Sequence, residues 1–514
     1  MDAFIVPQKK PVMDFGGNNI KIKSARMGQY GYTLVKKDVS AKVIEKCKQE
    51  LTLVAGTGTA AAGPTLEKDK IRVYRENANK LYVPKFYGIE KFGPVPLPEV
   101  KNQWTTPVKF KGSLRPHQLE PVQKCLDTLR GPNTPGGLLQ LFCGAGKTTC
   151  ALYMICALKV KTLVIVHKEF LMTQWRDSIA KFIPEARIGK IQQNVQDVEN
   201  KHIVLGMLKS IAMKDYPLSL FSQFDLIIID ECHFVCSKTF SNALFKLAGS
   251  RYTLGLSATP KRQDSMEKIF FWHLGPIIYA MKREKVECNV HVYNYQETKG
   301  KYTEQKNVRG DIQVSSMMTQ VVSNGYRNYF IGKLILDTFA KDPRRKILVL
   351  SERRSHLQTV LECMKREKKK RDEVETSKAK MSLSCGFFYG GLSESERTKS
   401  AECDVILGTF QMASVGLDIA GLNTLVLVTS KPGITRNDKG EQISGSMEQS
   451  VGRIFRGGNG NNNGPVPLII DVADKFSVFS NQAYKRIKFY KQCDYRIEAF
   501  KVRENMEKKC VEFI

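Results

Sequence analysis

The chain has 514 residues, more than one hydrophobic core usually serves, and 42% of them are hydrophobic, which excludes a low-complexity chain and points to two or three globular domains. Its 80 Lys and Arg against 51 Asp and Glu give a formal charge of +29, so a polyanionic partner is the simplest reading: basic side chains attract phosphates through a salt-sensitive field. The longest apolar runs, among them 203–208 and 226–229, are too short to span a bilayer, no basic-then-apolar leader opens the sequence, and the 13 cysteines are scattered; a soluble intracellular protein with reduced thiols and no membrane partner is expected.

Residues 1–109 carry 19 Lys and Arg and 10 Asp and Glu, with short strand-like segments at 71–74 and 80–83 and a small-residue stretch at 55–64. They hold no catalytic signature and are expected to form an accessory domain, either a nucleic-acid grip or a brace for the neighbouring domain. From Leu114 the text becomes a helix and then a strand–loop–helix rhythm with candidate strands at 138–142, 162–166, 203–208, 226–229 and 253–256, predicting one α/β domain over 110–280. Residues 281–330 read as a connector ending in a helix. The rhythm resumes over 331–480, with strands expected at 346–350, 384–388, 405–407, 424–428 and 468–470. Residues 365–380 (8 basic, 4 acidic) and the glycine- and asparagine-rich 457–464 read as surface excursions, and 481–514 as a basic helical tail folded back on the second α/β domain.

Gly144-Ala145-Gly146-Lys147-Thr148 follows the first of these strands and precedes a helix beginning near Thr149. Glycines let the backbone curl so that its N–H groups face phosphate oxygens, Lys147 reaches the β- and γ-phosphates, and Thr148 offers a hydroxyl to Mg2+. Leu141 stands where the full phosphate-loop pattern has its first glycine. Some 80 residues on, the run Asp225-Leu-Ile-Ile-Ile-Asp230-Glu231-Cys232-His233 delivers two carboxylates to the end of a buried strand, where open parallel sheets hold ligands. Asp230 can orient Mg2+ through water, and Glu231 can polarise the water that attacks the γ-phosphate. Cys232, His233 and Cys236 lack the second ligand pair of a structural zinc site.

With both motifs in place the chain resembles the superfamily 2 helicases, and further motifs fall in order between Leu114 and Asp474. Leu114-Arg115-Pro116-His117-Gln118 resembles the segment in which Arg115 and Gln118 hold the base. The segment ending in Gln174-Trp175 and the turn 206–210 with Lys209 resemble nucleic-acid-contacting motifs. Leu256-Ser257-Ala258-Thr259-Pro260, together with His233, resembles the motif coupling nucleotide state to grip. In the second α/β domain, residues 348–354 resemble motif IV, Gly408-Thr409 through Gly416-Leu417-Asp418-Ile419 motif V, and Gln449-Ser-Val-Gly452-Arg453-Ile-Phe-Arg456 motif VI with Arg456 as arginine finger and Arg453 its phosphate-facing companion. Tyr389-Gly390-Gly391-Leu392, residues 412–419, residues 486–490, Tyr74-Arg75-Glu76-Asn77 and Leu81-Tyr82-Val83-Pro84 resemble the branch near XPB formed by transcript-release and repair-type helicases of large nucleocytoplasmic DNA viruses.

The resemblance implies two tandem RecA-like P-loop NTPase domains behind a small N-terminal domain, ATP and Mg2+ as cofactors, and a nucleic-acid-stimulated ATPase. Gly144, Ala145, Gly146, Lys147, Thr148, Thr149, Gly416, Asp418 and Gln449 would hold the nucleotide, and Gln174, Lys209 and Thr409 the track. DNA, double- or single-stranded, is the expected track, with RNA polymerase or transcription factors as protein partners and the host cytoplasm or the virion as location. Two alternatives stay open: an RNA helicase, and a nucleotide-gated clamp that binds a polymerase without unwinding. Trp175 reads as core in preference to a track contact.

Overall fold

The computed structural model describes residues 22, 24–54, 70–105, 108–132, 135–142, 144–258, 266–281, 286–298, 300–308, 310–374, 382–414, 419–431, 434–436, 442–444, 446–455, 464–505 and 510–513. It divides into two compact units: the first runs to Leu141 and from Gly146 to Ala280, and the second takes in Phe142–Ala145 and the chain from Met281.

In the first unit, strands β1 (Gly136–Gln140), β2 (Thr162–Val166), β3 (Ile188–Gln192), β4 (Val195–Asp197), β5 (Ile203–Met207), β6 (Leu226–Asp230), β7 (Tyr252–Ser257) and β8 (Ile277–Ala280) form one sheet in the order β4-β3-β5-β2-β6-β7-β1-β8. Every pair is parallel except β3 with β4. Parallel strands need cover on both faces, which is why Thr162-Leu-Val-Ile-Val and Ile203-Val-Leu-Gly-Met are buried along their whole length. Helix α1 (Pro116–Arg130) precedes β1; α2 (Lys147–Leu158), α3 (Glu169–Phe182) and α4 (Leu208–Met213) follow β1, β2 and β5, so their N-termini gather at the carboxyl ends of the strands.

The N-terminal residues share this unit's core. A four-stranded antiparallel sheet of Arg26–Gly28, Gly31–Val35, Lys80–Val83 and Arg75–Glu76 contributes Tyr32, Leu34, Leu81 and Val83 to the cluster that also holds Phe270, Trp272 and Leu274. On the helix Lys85–Phe92, Tyr87 meets Trp272 edge-on at 5.8 Å, and the Lys85 ammonium, 1% exposed, donates to the carbonyls of Ser250 (2.7 Å) and Arg251 (3.4 Å). Burial, with Arg251 nearby, pushes the Lys85 ammonium down to about 7. Asp225 adds a further tie, accepting from the backbone N–H groups of Lys101 and Asn102.

In the second unit, β9 (Asn289–Gln296), β10 (Lys346–Ser351), β11 (Cys385–Phe388), β12 (Val405–Thr409), β13 (Leu422–Leu427), β14 (Leu468–Asp474), β15 (Arg496–Asn505) and β16 (Cys510–Phe513) form a sheet in the order β11-β12-β10-β13-β14-β9-β15-β16, parallel except for β15 with β16. With β4 and β16 set aside, this is the first sheet again: β3-β5-β2-β6-β7-β1-β8 corresponds strand for strand, in sheet order and in chain order, to β11-β12-β10-β13-β14-β9-β15. Helices α5 (Gly325–Lys341), α6 (Arg354–Val374), α7 (Ser446–Val451) and α8 (Ser477–Gln492) belong to this unit. Buried guanidinium pairs anchor two of them to β14. Arg327 of α5 binds both oxygens of Asp474 at 2.6 and 2.9 Å, and Arg486 of α8 both oxygens of Asp471 at 2.7 and 2.8 Å.

All ten strands expected in the two α/β domains are present within a few residues of their expected bounds. Two elements differ from expectation. Residues 281–330 hold β9, a central strand of the second sheet. Beyond α8, Arg496–Asn505 forms β15 alongside β9 in place of the expected helical tail, while Phe489 and Tyr490 of α8 are buried in the second unit's core. Residues 365–374 are a continuation of helix α6 with Lys365, Arg366, Lys369, Lys370 and Glu373 exposed as a surface segment would have them, and Arg371 bridges Glu367 and Asp337; 375–380 and 457–463 lie outside the described residues.

Candidate nucleotide site and nucleic-acid edge

Parallel register brings the ends of β6, β7 and β1 level: Asp230 pairs with Leu256, and Ser257 with Gln140. Neighbouring strands lie about 4.8 Å apart, so chemistry spread over some 110 residues of sequence converges within about 10 Å. After Gln140 the chain turns through Leu141 to Gly146 and enters α2 at Lys147. Gly144 (φ 92°) and Gly146 (φ 85°, ψ 39°) occupy the left-handed region, where a side chain is strained; a Cβ on Gly146 would also lie 2.2 Å from Nε2 of Gln118. The backbone here can present N–H groups to an anion only because these positions are glycine. Lys147 Nζ lies 3.4 Å from the carbonyl of Leu141 and 4.0 Å from Oε1 of Glu231, which poises the ammonium between the loop and the acidic pair. Thr148 and Thr149 open the first turn of α2, both half-buried.

At the end of β6, Asp230 accepts from the N–H of Glu231 (Oδ1, 3.0 Å) and from the indole N–H of Trp175 (Oδ2, 2.9 Å). Asp230 keeps some exposed surface, yet its carboxyl is set deep among packed atoms; burial, and then the charge of Glu231, push it up to about 6, while the Trp175 bond pulls the other way. Glu231 has φ 47°, a left-handed conformation uncommon for a residue with a Cβ and costing on the order of 1 kcal/mol. Its Oε2 is buried with no hydrogen-bond partner among the described residues and lies 3.4 Å from Nδ1 of His233, which is itself 3.3 Å from the Ser257 hydroxyl. The acidic pair and the coupling motif thus touch through His233. Asp230 and Thr148 supply hard oxygen donors of the type Mg2+ takes, and the Glu231 oxygen without a hydrogen bond among the described residues leaves a polar position to be filled; such an ion, held by one carboxylate, a hydroxyl and substrate phosphates, would neutralise charge developing on them. Among the described residues no cluster of three His, Cys, Asp or Glu could hold a metal by itself, and Cys232 and Cys236 are buried in the core.

Gln118 is 3% exposed; its backbone N–H donates to the Arg115 carbonyl and its Oε1 accepts from the Arg115 N–H at 2.9 Å. This closed loop holds the amide against Gly146.

Two contacts of the site, Trp175 with Asp230 and His167 with Phe234, carry no sequence signal. Trp175 is core, 1% exposed, and also holds Asp230; the two functions are not alternatives, because an indole buries its ring and keeps one donor at its edge. The other is an aromatic sandwich. His167, following β2, stacks on Phe234 at 3.8 Å, and Phe234 meets His233 at 4.4 Å. Neither ring nitrogen of His167 has a hydrogen-bond partner among the described residues, and burial pushes the imidazole down to about 3, so it is neutral. No spacing rule connects residues 167 and 234, although both follow strands that are neighbours in the sheet.

The expected track residues lie at the carboxyl edges. Gln174 is on α3, half-buried; Lys209 is exposed on α4; Thr409 ends β12. Ser257 and Ala258 are buried at the end of β7. Arg453 is buried in the one-turn helix Gly452–Phe455 after α7. Thr259, Gly416, Asp418 and Arg456, and the side chain of Gln449, lie outside the described residues. No helix among those described is long and apolar enough to cross a membrane.

Residues 111–262 match the family described as "Type III restriction enzyme, res subunit". The chain is 32% identical over 501 residues to "Putative ATP-dependent RNA helicase L396" of Acanthamoeba polyphaga mimivirus, covering 96% of this chain and 89% of that protein. It is 27% identical over 404 residues to "Putative helicase 161L" of Invertebrate iridescent virus 6, covering 75% and 82%. Among solved structures, the fragment of "a putative HsdR subunit of a type I restriction enzyme from Vibrio vulnificus YJ016" aligns with a TM-score of 0.52 at 17% identity, over 79% of this chain and 71% of that one, a likeness of fold. With a relative this similar over nearly its whole length and two parallel sheets of matching topology, the chain belongs to the superfamily 2 helicases, in the family of the mimivirus protein L396, and is an ATP-dependent helicase with tandem RecA-like domains.

Proposed function

We propose that the chain couples ATP hydrolysis to movement along DNA in viral transcription or repair, with transcript release as the transcriptional step. The observation that carries the chemistry is the convergence of Lys147, Asp230, Glu231, His233 and Ser257 at the ends of three adjacent strands. In this reading Lys147 and the loop N–H groups bind the β- and γ-phosphates, with Gln118 and Arg115 at the base. Thr148 and Asp230 hold Mg2+. Glu231 orients the attacking water, and its strained backbone keeps the carboxylate aimed without reorganisation at the moment of reaction. Arg453 and Arg456 complete the charge around the transferred phosphoryl group. Gln174, Lys209 and Thr409 contact the track through its phosphates, so sequence preference is weak. The charge of +29 supports a polyanionic track.

A second reading, RNA as the track, is favoured by the printed name of the mimivirus relative. Steady-state ATP turnover of the purified chain with duplex DNA, single-stranded DNA and RNA of matched length separates the two. The DNA reading expects at least about tenfold greater stimulation by DNA, equivalent to about 1.4 kcal/mol of differential transition-state stabilisation. Preferential stimulation by RNA refutes it, and a strand-displacement assay on the preferred track separates unwinding from translocation or clamping.

A further inference from the structure

The correspondence of the two sheets identifies a place in the second unit that no helicase motif covers. β9 matches β1, the strand that leads into the phosphate loop; β14 matches β7, and β15 matches β8. At the carboxyl ends of β9, β14 and β15 lies a cavity of about 270 Å³ lined by Asn294, Gln296, Lys475, Lys501, Val502 and Arg503. Three of the six are cations, and no carboxylate is among them. Register places Asn294 beside Lys501 and Gln296 beside Arg503, so their side chains share one face of the sheet. Lys475 follows β14 directly, its backbone N–H bonded to the Tyr295 carbonyl. Asn294 Nδ2 donates to the Phe500 carbonyl, and Arg503 Nε to Gln296 Oε1 at 3.3 Å, which aims the guanidinium along the strand end while Lys475, Lys501 and Arg503 stay exposed.

We propose that this cavity is a second phosphate-binding site, which takes the phosphate groups of a small polyphosphate compound or of a nucleic-acid strand and does not hydrolyse them. Open α/β sheets place ligands outside the carboxyl ends of their strands. In the first unit six residues, 141–146, separate the strand from a helix N-terminus; in the second, residues 297–313 separate β9 from the helix Val314–Val322, so side-chain cations take over from backbone N–H groups. Asp474, at the end of β14, is held on both oxygens by Arg327, and none of the six lining residues is an acid that could carry a metal or activate water. The site stands apart from the expected track contact at Thr409. β12 and β14 are three strand steps apart and β12 and β15 five, about 14 to 24 Å.

The test uses the full chain carrying Lys147→Ala, which silences the phosphate loop, and titrates it with inorganic tripolyphosphate by calorimetry and with an eight-nucleotide single strand by fluorescence anisotropy. Adding Lys501→Ala and Arg503→Ala is expected to weaken tripolyphosphate about fivefold to tenfold, two exposed charge contacts being lost. If the strand is the source of the phosphates, its affinity also falls, and the slope of log affinity against log salt drops by about 1.4. If a small compound is the source, strand binding is unchanged. Because both residues are exposed, the thermal midpoint should not move, and basal ATP turnover on the otherwise native chain should stay as it was. Substitutions that change neither affinity overturn the site.

Discussion

Replacing Trp175 by Phe tests the contact that links the third helix of the first lobe to the acidic pair. The substitution keeps most of the buried ring and deletes one donor, the indole N–H at 2.9 Å from Oδ2 of Asp230. A hydrogen bond to a charged acceptor contributes about 1.5–3 kcal/mol, and the partial exposure of Asp230 favours the lower end. At about 1.36 kcal/mol per pKa unit, losing the bond raises the Asp230 carboxyl by about one unit above a value that burial and Glu231 already hold near 6. With Asp230 orienting Mg2+ as proposed, a proton on its carboxyl would then oppose Mg2+ binding at neutral pH. The acid limb of nucleic-acid-stimulated ATP turnover should therefore move about one unit to higher pH, and the Mg2+ concentration for half-maximal rate should rise at pH 7 and recover at pH 8.5. A Trp175 that only fills space predicts another result: turnover lowered by a constant factor, with the pH profile superimposable on the wild type after scaling. That superposition would refute the reasoning.

Lys147→Ala and Glu231→Gln should each lower turnover by at least about 100-fold, but only Glu231→Gln should keep nucleotide affinity, since it leaves the phosphate cradle intact; normal turnover by either variant removes its assigned role. Arg456→Lys should retain ATP affinity and lose much of the stimulated rate, because lysine keeps the charge without the planar donor fork, and a near-native stimulated rate would reject the finger. Lys85 has a folded pKa depressed from 10.5 to about 7, so the unfolded chain binds more protons between these values and the stability it contributes increases with pH across the window and is lost as pH falls through 7. Unfolding measured at pH 7 and pH 9 should show about 2 kcal/mol of added stability in the wild type that Lys85→Met lacks. A chain beginning at Phe110 should unfold at lower temperature than the full protein, because Trp272 and Leu274 lose Tyr87 and Leu81 as core neighbours; an unchanged thermal midpoint would make the N-terminal sheet a separate module.

Local patterning makes much of the fold legible in the sequence. Buried parallel strands such as Leu226 to Ile229 are uninterrupted apolar runs, and the phosphate loop announces itself because the left-handed turns at Gly144 and Gly146 admit little else. Elements whose character depends on distant partners are not legible in the same way. The segment Asn289–Gln296 mixes polar, apolar and aromatic residues without strict alternation and reads as a connector in isolation; it is a central strand because Leu468–Asp474 lies on one side of it and Arg496–Asn505 on the other. Trp175 and Asp230 are 55 residues apart, and His167 and Phe234 meet only because β2 and β6 are neighbours. The adenine-reading expectation for Gln118 comes from resemblance, whereas the structure adds that the amide is braced by Arg115 and sits against Gly146.

The hardest distinction to draw from sequence is between Leu226-Ile-Ile-Ile-Asp230-Glu231 and Leu468-Ile-Ile-Asp471-Val-Ala-Asp474, two apolar runs that each carry two acids. Both form buried strands, and their sheets have the same order. Chemistry separates them through what meets the carboxylates. Asp471 receives Arg486 on both oxygens and Tyr490 on one, and Asp474 receives Arg327 on both, so each is neutralised inside the protein and braces a helix against the sheet. Asp230 receives one neutral indole donor and one backbone N–H, and Glu231 accepts no hydrogen bond at Oε2 among the described residues, with His233 at 3.4 Å from that oxygen and Lys147 at 4.0 Å from Oε1 as its charged or titratable neighbours. An acid matched by a guanidinium has no charge left for a ligand, whereas an acid held by neutral donors is oriented and still carries it. Breaking the first kind, as in Arg486→Ala, should cost about 3–5 kcal/mol of stability by stranding a buried charge. Breaking the second kind, as in Trp175→Phe, should cost less stability and more catalysis. If Arg486→Ala instead left the thermal midpoint in place and abolished ATP turnover, the division between structural and chemical acids drawn from these two strands would fail.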